Sequence, residues 1–529
     1  MFSINSAALL FVVLTLFLIR MRKFKFRSIY KDGNLGPQLP PGPAPWPIIG
    51  CLPEFLSQKP TSRWIHRLMR EMDTDIACIR LGNVHVIPVT CPEIAREFLK
   101  KHDAKFSSRP TSMATRTYSG GFLTTILTPY GNQWMKMRRV LVSEIISSAR
   151  HHWLKDKRTE EANNLVKYIY NRSKSSSRTV NVRTATRQYT GNVIRKLMFS
   201  KRYFREERVD GGPTIAEEEH VEAIFTILRY LYAFCISDYF PWLVGLDLDG
   251  HEKFVKEAIS TVNNYHDPII DARIRKWRRF GNWNEESTSN DPQDFLDVLV
   301  TLKDSEGKPL LTPEEIKAQI TEIMFATVDN PSNAVEWAMA EMINQPEILK
   351  TAMEELDRVV GKERLVQECD IPHLNYIKAC IREAFRLHPI APFIPPHMAM
   401  SDAIVAGYFI PKGSHVLLSR LGLGRNPKVW NKPLEFRPER HFTSDYTEVQ
   451  LTEPDLCFIS FSTGRRGCVA PMLGTAMTVM LLARMVQGFN WMAPPNVTSI
   501  NLDESFDDMF LASPLVAHAE PRLPLHLYP

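Results

Sequence analysis

The stretch Phe461-Ser-Thr-Gly-Arg-Arg-Gly-Cys-Val-Ala470 decides the fold that we expect for this chain. It places Cys468 in a turn of small residues, with arginines before it and an apolar helical pattern, residues 471 to 488, after it. Gly464 and Gly467 let the backbone turn tightly, so that amides can point at the sulfur. The N-terminal amides of the following helix would point there too. This pattern predicts a cysteine held as a thiolate, which needs a lowered pKa. The alternative is a buried structural cysteine beside a basic turn.

The spacing of four residues in this stretch favours the first of these two interpretations of Cys468. Phe461, Gly464, Arg466 and Cys468 follow an F-x-x-G-x-R-x-C pattern, which resembles the haem-ligand loop of the cytochromes P-450. The resemblance implies that Cys468 is the axial ligand of a haem b iron, whose chemistry the thiolate tunes toward O–O cleavage. It also implies that Arg466 meets a haem propionate and that Phe461 shields the sulfur. The implied fold is mainly α with a small β region, with haem between an oxygen-side helix and the cysteine-loop helix.

Two further motifs occur in the order that this family shows. Glu383-Ala-Phe-Arg386 lies in a helical pattern, where positions i and i+3 share a face and can form an ion pair. Pro438-Glu-Arg-His441 follows and supplies Arg440. The resemblance implies a buried network of Glu383, Arg386 and Arg440 that holds the haem-side core.

Three other residues match positions that contact haem propionates in the family. Trp134 and Arg138 stand one helical turn apart, so their side chains would share a face. His397 follows a Pro-Pro pair. The alternatives are a core tryptophan beside a surface arginine, and a loop histidine with its hydrogen bonds satisfied.

The segment Ala326-Thr-Val-Asp-Asn-Pro-Ser-Asn-Ala-Val-Glu-Trp337 departs from the usual family pattern. Family members carry an acid followed by a threonine on the oxygen-side helix, and the two relay protons. This chain keeps Asp329 but has Asn330 in place of the threonine, followed by Pro331. Because proline removes an amide donor and disfavours helical geometry in the preceding residue, we expect a distorted helix here. Asn330 can donate and accept hydrogen bonds but relays protons less well than a hydroxyl.

The D-N-P-S-N-A-x-E-W string, PERH and F-S-T-G-R-R-G-C together resemble the plant amino-acid N-monooxygenases. The resemblance implies conversion of an L-amino acid to its aldoxime by two N-hydroxylations, decarboxylation and dehydration. It implies haem b, O₂, and NADPH electrons delivered by NADPH–cytochrome P-450 reductase. It places the enzyme in plant specialised metabolism, toward cyanogenic glucosides or glucosinolates. The alternatives are a P-450 that hydroxylates another small specialised metabolite and a non-catalytic haem-binding protein.

Family position also suggests which residues contact the substrate. Arg116 is a candidate partner for the substrate carboxylate, with a solvated loop arginine as the alternative. Phe122, Phe393 and Phe510 are candidates for an apolar wall, with ordinary core positions as the alternative. Such a wall favours phenylalanine but also accepts valine or isoleucine, because apolar pockets discriminate weakly per methylene.

The N-terminal 60 residues predict membrane attachment. An apolar run from Ala7 to Ile19 is followed by a basic segment, residues 20 to 27, which is the reverse of the charge order in a cleaved signal. We therefore expect a signal-anchor helix at residues 1–20 in the endoplasmic reticulum membrane, single-pass, with the rest facing the cytosol. A cleaved signal is the alternative. Residues 21–60 would form a basic stop and a proline-rich extended hinge, and residues 61–529 the monooxygenase domain.

Composition agrees with a large intracellular globular domain. The 529 residues carry a formal net charge of only +6, which argues against a nucleic-acid-binding protein. The eight cysteines include no CxxC pair, as expected in a reducing compartment. Apolar runs at Ala77–Pro88 and Tyr408–Ser419 predict strands, and the second run is typical of a hairpin.

Overall fold

A computed structural model describes residues 37–175, 178–208, 210–279, 291–442, 448–506 and 508–528. Helices dominate this part of the chain, and they bury one large apolar core. Two smaller apolar clusters lie against a sheet formed by distant segments of the chain. The mainly α fold with a small β region is confirmed.

The helices are numbered in chain order. They are α1 Leu52–Ser57, α2 Thr61–Glu71, α3 Pro92–Arg96, α4 Met113–Tyr118, α5 Asn132–Val140, α6 Ser148–Trp153, α7 Lys155–Ser173, α8 Val182–Phe199, α9 Ile215–Tyr232, α10 His251–Arg279, α11 Phe295–Thr301, α12 Pro313–Asn344, α13 Pro346–Val359, α14 Asn375–Leu387, α15 Arg420–Gly424 and α16 Pro471–Gly488. Short 3₁₀ and π turns connect several of them.

The strands form three sheets. They are β1 Ile79–Leu81, β2 Val84–Val89, β3 Thr179–Asn181, β4 His397–Met398, β5 Ala403–Val405, β6 Tyr408–Ile410, β7 His415–Leu418, β8 Phe489–Met492 and β9 Val516–Pro521. A four-stranded sheet has the order β1-β2-β7-β4, a three-stranded sheet has β3-β9-β8, and β5 pairs with β6.

The four-stranded sheet is buried on both faces. β2 and β7 pair in parallel, so that Ile87 lies opposite Val416. Side chains alternate between faces along each strand. Val416 and Leu418 therefore join one apolar cluster, and Leu417 joins the other. Burial on both faces explains why β7 has an almost continuous apolar sequence.

The predicted hairpin within Tyr408–Ser419 is wrong. β6 pairs with β5, whereas β7 leaves it to join β2 and β4 in the larger sheet. The apolar residues of β7 are buried more completely between the two clusters than they would be in an isolated two-stranded ribbon. This pairing carries the chain from β7 directly into α15, which begins beside the cavity that Cys468 faces.

The long helix α12 forms the centre of the molecule. It begins with Thr312 as N-cap, whose hydroxyl accepts from the Glu315 amide at 3.2 Å, and Pro313 occupies the first helical position. It packs against α8, α14 and α16, and most of its residues are buried.

The expected distortion at Pro331 does not interrupt α12. The helix is continuous from Pro313 to Asn344. The Ser332 hydroxyl donates to the carbonyls of Val328 and Asp329 at 2.9 Å each, so its side chain bonds back to the helix in the turn that contains the proline. Packing on several sides outweighs the local preference of a single proline, because helix stability in proteins comes mainly from tertiary contacts.

The described residues include only part of the N-terminal segment for which predictions were made. The expected anchor at residues 1–20 lies outside the described residues. Among the residues that are described, no helix combines the length and apolarity needed to cross a bilayer. The proline-rich segment has no regular secondary structure from residue 38 to residue 45, and the Cys78 amide donates to the carbonyl of Pro41 at 2.8 Å. α1 begins within the range predicted as hinge.

Candidate active site

The cysteine loop is closed by its own backbone. The Cys468 amide donates to the carbonyl of Phe461 at 2.8 Å, and the Gly467 amide donates to the carbonyl of Gly464 at 3.0 Å. Gly464 has φ +76°, and a Cβ there would lie 2.6 Å from the carbonyl oxygen of Leu99. Only glycine fits this position, because both the dihedral and the space exclude a side chain.

The Cys468 thiol opens onto a cavity. Its sulfur accepts a hydrogen bond from the Ala470 amide at 3.3 Å, as expected at the start of α16. The side chain is exposed to this cavity, although the surrounding protein removes it from bulk solvent. Burial raises the pKa of the thiol, while the Ala470 amide and the charges of Arg138 and Arg420 oppose that rise. The loop alone therefore does not supply the lowered pKa that the sequence predicts; a bound metal cation would supply the missing positive charge.

The cavity, of about 240 Å³, lies between α12 and the cysteine loop with the start of α16. Side chains and backbone from both sides line it, and they include Ala326, Thr327, Asn330 and Pro331 from α12, and Phe461, Cys468, Val469 and Ala470 from the loop. This is the arrangement predicted for a haem between the oxygen-side helix and the cysteine-loop helix.

One end of the cavity carries polar side chains that lack partners. The Trp134 Nε1 and Arg466 Nη2 atoms, which both donate, are buried and have no hydrogen-bond partner among the described residues. His397 Nε2, whose ring lies near Arg466, is also buried without a partner in that part of the chain. Buried polar groups without partners are costly, so a ligand that accepts hydrogen bonds fits this end. The two propionates of haem are such acceptors, and the observed groups therefore fit the cofactor.

Positive charge accumulates at the same end. The Arg466 guanidinium lies over the Trp134 ring at 4.4 Å, and its Nε donates to the carbonyl of Ser107 at 2.5 Å. Burial, together with the charges of Arg109 and Arg138, lowers the pKa of Arg466 to about 8. An anion bound here would relieve this repulsion. We therefore propose that Trp134, Arg138, Arg466 and His397 hold the propionates.

His397 is held in one tautomer by its neighbour. Its Nδ1 lies 2.8 Å from the carbonyl oxygen of Phe106, which can only accept, so Nδ1 carries the proton. Burial lowers the pKa of His397 well below its ordinary value. The Nε2 atom can donate to a carboxylate only if the ring also binds a second proton, and a nearby propionate would favour that state.

The predicted charge network forms in the core. Arg386 donates to both carboxylate oxygens of Glu383 at 2.7 Å, and Arg440 Nε donates to one of them at 2.9 Å. A fourth member was missed, because His441 Nε2 lies 2.8 Å from the same carboxylate. His441 Nδ1 accepts from Arg382, which leaves the Nε2 proton to face Glu383. The Pro438–His441 motif contains this histidine, but its distance from Glu383 along the sequence does not identify a partner for it.

The chain matches a known family over most of its length. A profile of the family described as cytochrome P450 matches residues 40–518. The chain belongs to the cytochrome P450 family. The cofactor of this P450 is haem, its oxidant is O₂, and its electrons come from NADPH through a reductase.

The relatives of this P450 have similar length and named activities. A tyrosine N-monooxygenase of Sorghum bicolor is 59% identical over 98% of this chain and 94% of its own. A valine N-monooxygenase of Manihot esculenta is 58% identical over 100% and 96%. A phenylalanine N-monooxygenase of Arabidopsis thaliana is 56% identical over 98% and 97%. The resemblance to amino-acid N-monooxygenases is confirmed.

The oxygen side of this P450 contains a buried carboxyl group that has an oxygen atom without a hydrogen-bond donor in the described part of the chain. Asp329 is buried, and its Oδ1 has no hydrogen-bond partner among the described residues. Burial raises the pKa of Asp329 to about 7, against the opposing charges of Arg187 and Arg420. A carboxyl group with this pKa can hold and release a proton near neutral pH. Its neighbour Asn330 lines the cavity. We propose that these two residues handle protons on the oxygen side.

The Asp329→Asn variant tests this role through the pH dependence of kcat. The acid form of Asp329 falls as pH rises through about 7, so wild-type kcat is expected to decline above that pH. The amide holds no such proton, so kcat of the variant is expected to drop by about 10²-fold and to lose the decline. Steady-state rates from pH 6 to pH 8.5 measure both effects. A variant with the wild-type pH profile would contradict the role.

The predicted substrate residues do not line the main cavity. Arg116 is exposed, with its guanidinium 5.6 Å from the Phe122 ring centroid. Phe393 is buried, stacks on His66 at 5.1 Å and borders a second cavity of about 80 Å³. Phe510 packs against another phenylalanine ring at 5.6 Å. Family position places these residues near the site, but the loop path directs their side chains elsewhere.

Two charged residues of the cavity lining were not identified from the sequence. Glu322 on α12 is buried and accepts from the amides of Thr125, Ile126 and Leu127 at 2.8 to 3.1 Å, which fixes a loop that borders the cavity. Burial raises its pKa, and hydrogen bonds from that loop oppose the rise. Arg420, just after β7, projects into the cavity. The only signal for Arg420 in the sequence was a charged residue two positions after an apolar strand.

Proposed function

We propose that this P450 converts an L-amino acid with an apolar side chain to its aldoxime, with phenylalanine preferred and valine or isoleucine accepted. Two successive N-hydroxylations are followed by loss of carbon dioxide and water. Each hydroxylation consumes one O₂ and two electrons from NADPH. The observation that carries the proposal is Asp329-Asn-Pro-Ser on the oxygen side of a Cys468 cavity. The amino-acid N-monooxygenases among its relatives support it.

The cavity walls suit an apolar side chain. Aliphatic and aromatic residues from several helices line the space on the oxygen side, and they include Leu228, Leu231, Ile323, Phe325, Ile390 and Ile394. Such walls exclude water from the reacting amine and fit both ring and branched side chains. Because a missing methylene costs only about 1–3 kcal/mol in such a pocket, several apolar amino acids would be turned over at different rates.

The protein positions the substrate and supplies protons, while the bound haem carries out the oxidation. Cys468 would hold the iron, and the propionate end would fix the orientation of the ring. Asn330 faces the cavity where a threonine is usual. We propose that it orders water through its amide, since an amine is itself a good nucleophile and places less demand on a hydroxyl relay. Asp329 would return protons to that water.

Attachment to the endoplasmic reticulum membrane remains part of the proposal. The apolar run that ends at Ile19 and the basic segment after it support a single anchor with the catalytic domain in the cytosol. This orientation would place the P450 on the same side of the membrane as an NADPH-dependent reductase.

The test is a panel of protein amino acids. Microsomes containing this P450 and a plant reductase are incubated with each amino acid and NADPH, and aldoximes are identified by mass spectrometry. We expect phenylalanine to give phenylacetaldoxime with the highest kcat/KM, and valine and isoleucine to react more slowly. Omission of NADPH is the matched control. Absence of aldoxime from every amino acid, with an intact haem-thiolate spectrum, would contradict the proposal and favour hydroxylation of another small metabolite.

A further inference from the structure

Four arginines line the cavity, and three belong to its propionate end. Arg138 and Arg466 lie at the Trp134 ring. Arg109 donates to the carbonyls of Pro395 and Pro396 at 2.6 and 2.9 Å, and its charge lowers the pKa values of Arg466 and His397. These three cations therefore act on one another's surroundings, and we assign them to the propionates proposed for this end.

The fourth, Arg420, is not among the cations whose charge lowers the pKa of Arg466 or of His397. It is the first residue of α15, and its amide donates to the carbonyl of Pro392 at 2.9 Å. The preceding hydroxyl, on Ser419, caps the helix by accepting from the Gly422 amide at 2.7 Å. The end of β7 and the start of α15 thus fix the backbone from which this side chain enters the cavity.

Two nitrogen atoms of the Arg420 guanidinium have no hydrogen-bond acceptor among the described residues. The residue is only 9% exposed, and neither its Nε nor its Nη1 has a hydrogen-bond partner in the part of the chain that the structure describes. No carboxylate of a described residue lies within ion-pair distance of it, although its charge opposes the rise that burial causes in the pKa of Asp329. A buried guanidinium without acceptors is unfavourable, so this position suits a ligand that brings an anion.

We propose that Arg420 binds the α-carboxylate of the amino-acid substrate; this rests on the proposed function. The amine and the carboxylate share one carbon, so an amine directed at the haem centre brings the carboxylate into the same cavity. Arginine presents paired N–H groups that match a carboxylate. When decarboxylation removes that group as carbon dioxide, the contact is lost, which would favour release of the neutral aldoxime.

The experiment compares two ligands that differ by the carboxylate. Dissociation constants of L-phenylalanine and 2-phenylethylamine are measured from the change in haem absorbance of the full-length holoenzyme. We expect Arg420→Gln to raise the constant for phenylalanine by about 10- to 100-fold, because a charge-assisted hydrogen bond is lost. The constant for the amine should stay close to wild type. Arg420→Lys, which keeps the charge without the paired donors, should give an intermediate loss for phenylalanine alone.

The controls separate this assignment from folding and from the proposed function. Arg139→Gln removes the same charge from an exposed position and should change neither constant. The reduced carbon-monoxide spectrum checks haem loading; if Arg420→Gln does not load haem, Arg420→Lys carries the same comparison. Equal weakening of both ligands, or an unchanged constant for phenylalanine, would overturn the role of Arg420. A wild-type enzyme that binds no amino acid and forms no aldoxime would instead overturn the proposed function.

Discussion

Cys468→Ser is expected to abolish both the haem-thiolate spectrum and aldoxime formation. The sulfur is the group in the cavity that can serve as a thiolate ligand, and the hydroxyl of serine neither ionises readily nor donates comparable electron density to iron. The loss should exceed any effect of a substitution elsewhere in the cavity. The reduced carbon-monoxide difference spectrum and product formation from phenylalanine measure it.

An exposed cysteine provides the matched control for this substitution. Cys369 lies on the surface, far from the loop in sequence, and Cys369→Ser should leave the spectrum and the rate unchanged. A Cys468→Ser protein that kept the thiolate-type absorbance would show that another residue ligates iron. That result would remove the basis for the whole site.

Glu383→Gln is expected to destabilise the folded protein by about 3–5 kcal/mol, because it leaves Arg386 and Arg440 buried without their shared carboxylate. Both arginines also donate to backbone carbonyls near residues 431 to 435, so their displacement would loosen the segment that leads to the cysteine loop. Urea denaturation of the haem-loaded protein measures the change. Glu354→Gln, at an exposed position, should change the free energy of unfolding by less than about 0.5 kcal/mol.

The same network predicts how stability depends on acid. Burial would raise the pKa of Glu383, but hydrogen bonds from Arg386 and His441 outweigh it and hold the pKa at about 2. A group whose pKa is lower when folded stabilises the protein above its unfolded pKa, here 4.5. That contribution is lost as pH falls through about 2. Wild type and Glu383→Gln should therefore differ most above pH 4.5 and converge in stronger acid; a constant difference would contradict the network's role.

Motifs with fixed spacing were interpreted correctly because their geometry is local. The cysteine loop closes through hydrogen bonds between residues seven and three positions apart. Glu383 and Arg386 meet because they lie one turn apart on a single helix. The start of α16 at Pro471 follows from the apolar pattern and the proline itself. Predictions of this kind depend on few distant contacts.

Predictions that depended on orientation failed for a physical reason. Pro331 disfavours a helix locally, yet α12 continues through it because α8, α14 and α16 enclose the helix. Arg116 and the phenylalanines were assigned by family position, but Arg116 is exposed and Phe393 is buried against His66, and neither lines the main cavity. β7 paired with β2, more than 300 residues away, rather than with its neighbour β6.

Short-range chemistry in the chain was therefore enough to indicate a haem-thiolate enzyme and its departure at Asn330-Pro331. Long-range packing was needed to identify which cations share the cavity. Arg420 has no motif, and its place depends on β7 joining β2 and β4 and on α15 starting beside Pro392. Its burial, with two nitrogen atoms unpaired among the described residues, arises only when segments that are distant in the sequence pack around it. The spacing of residues along the sequence does not predict that packing.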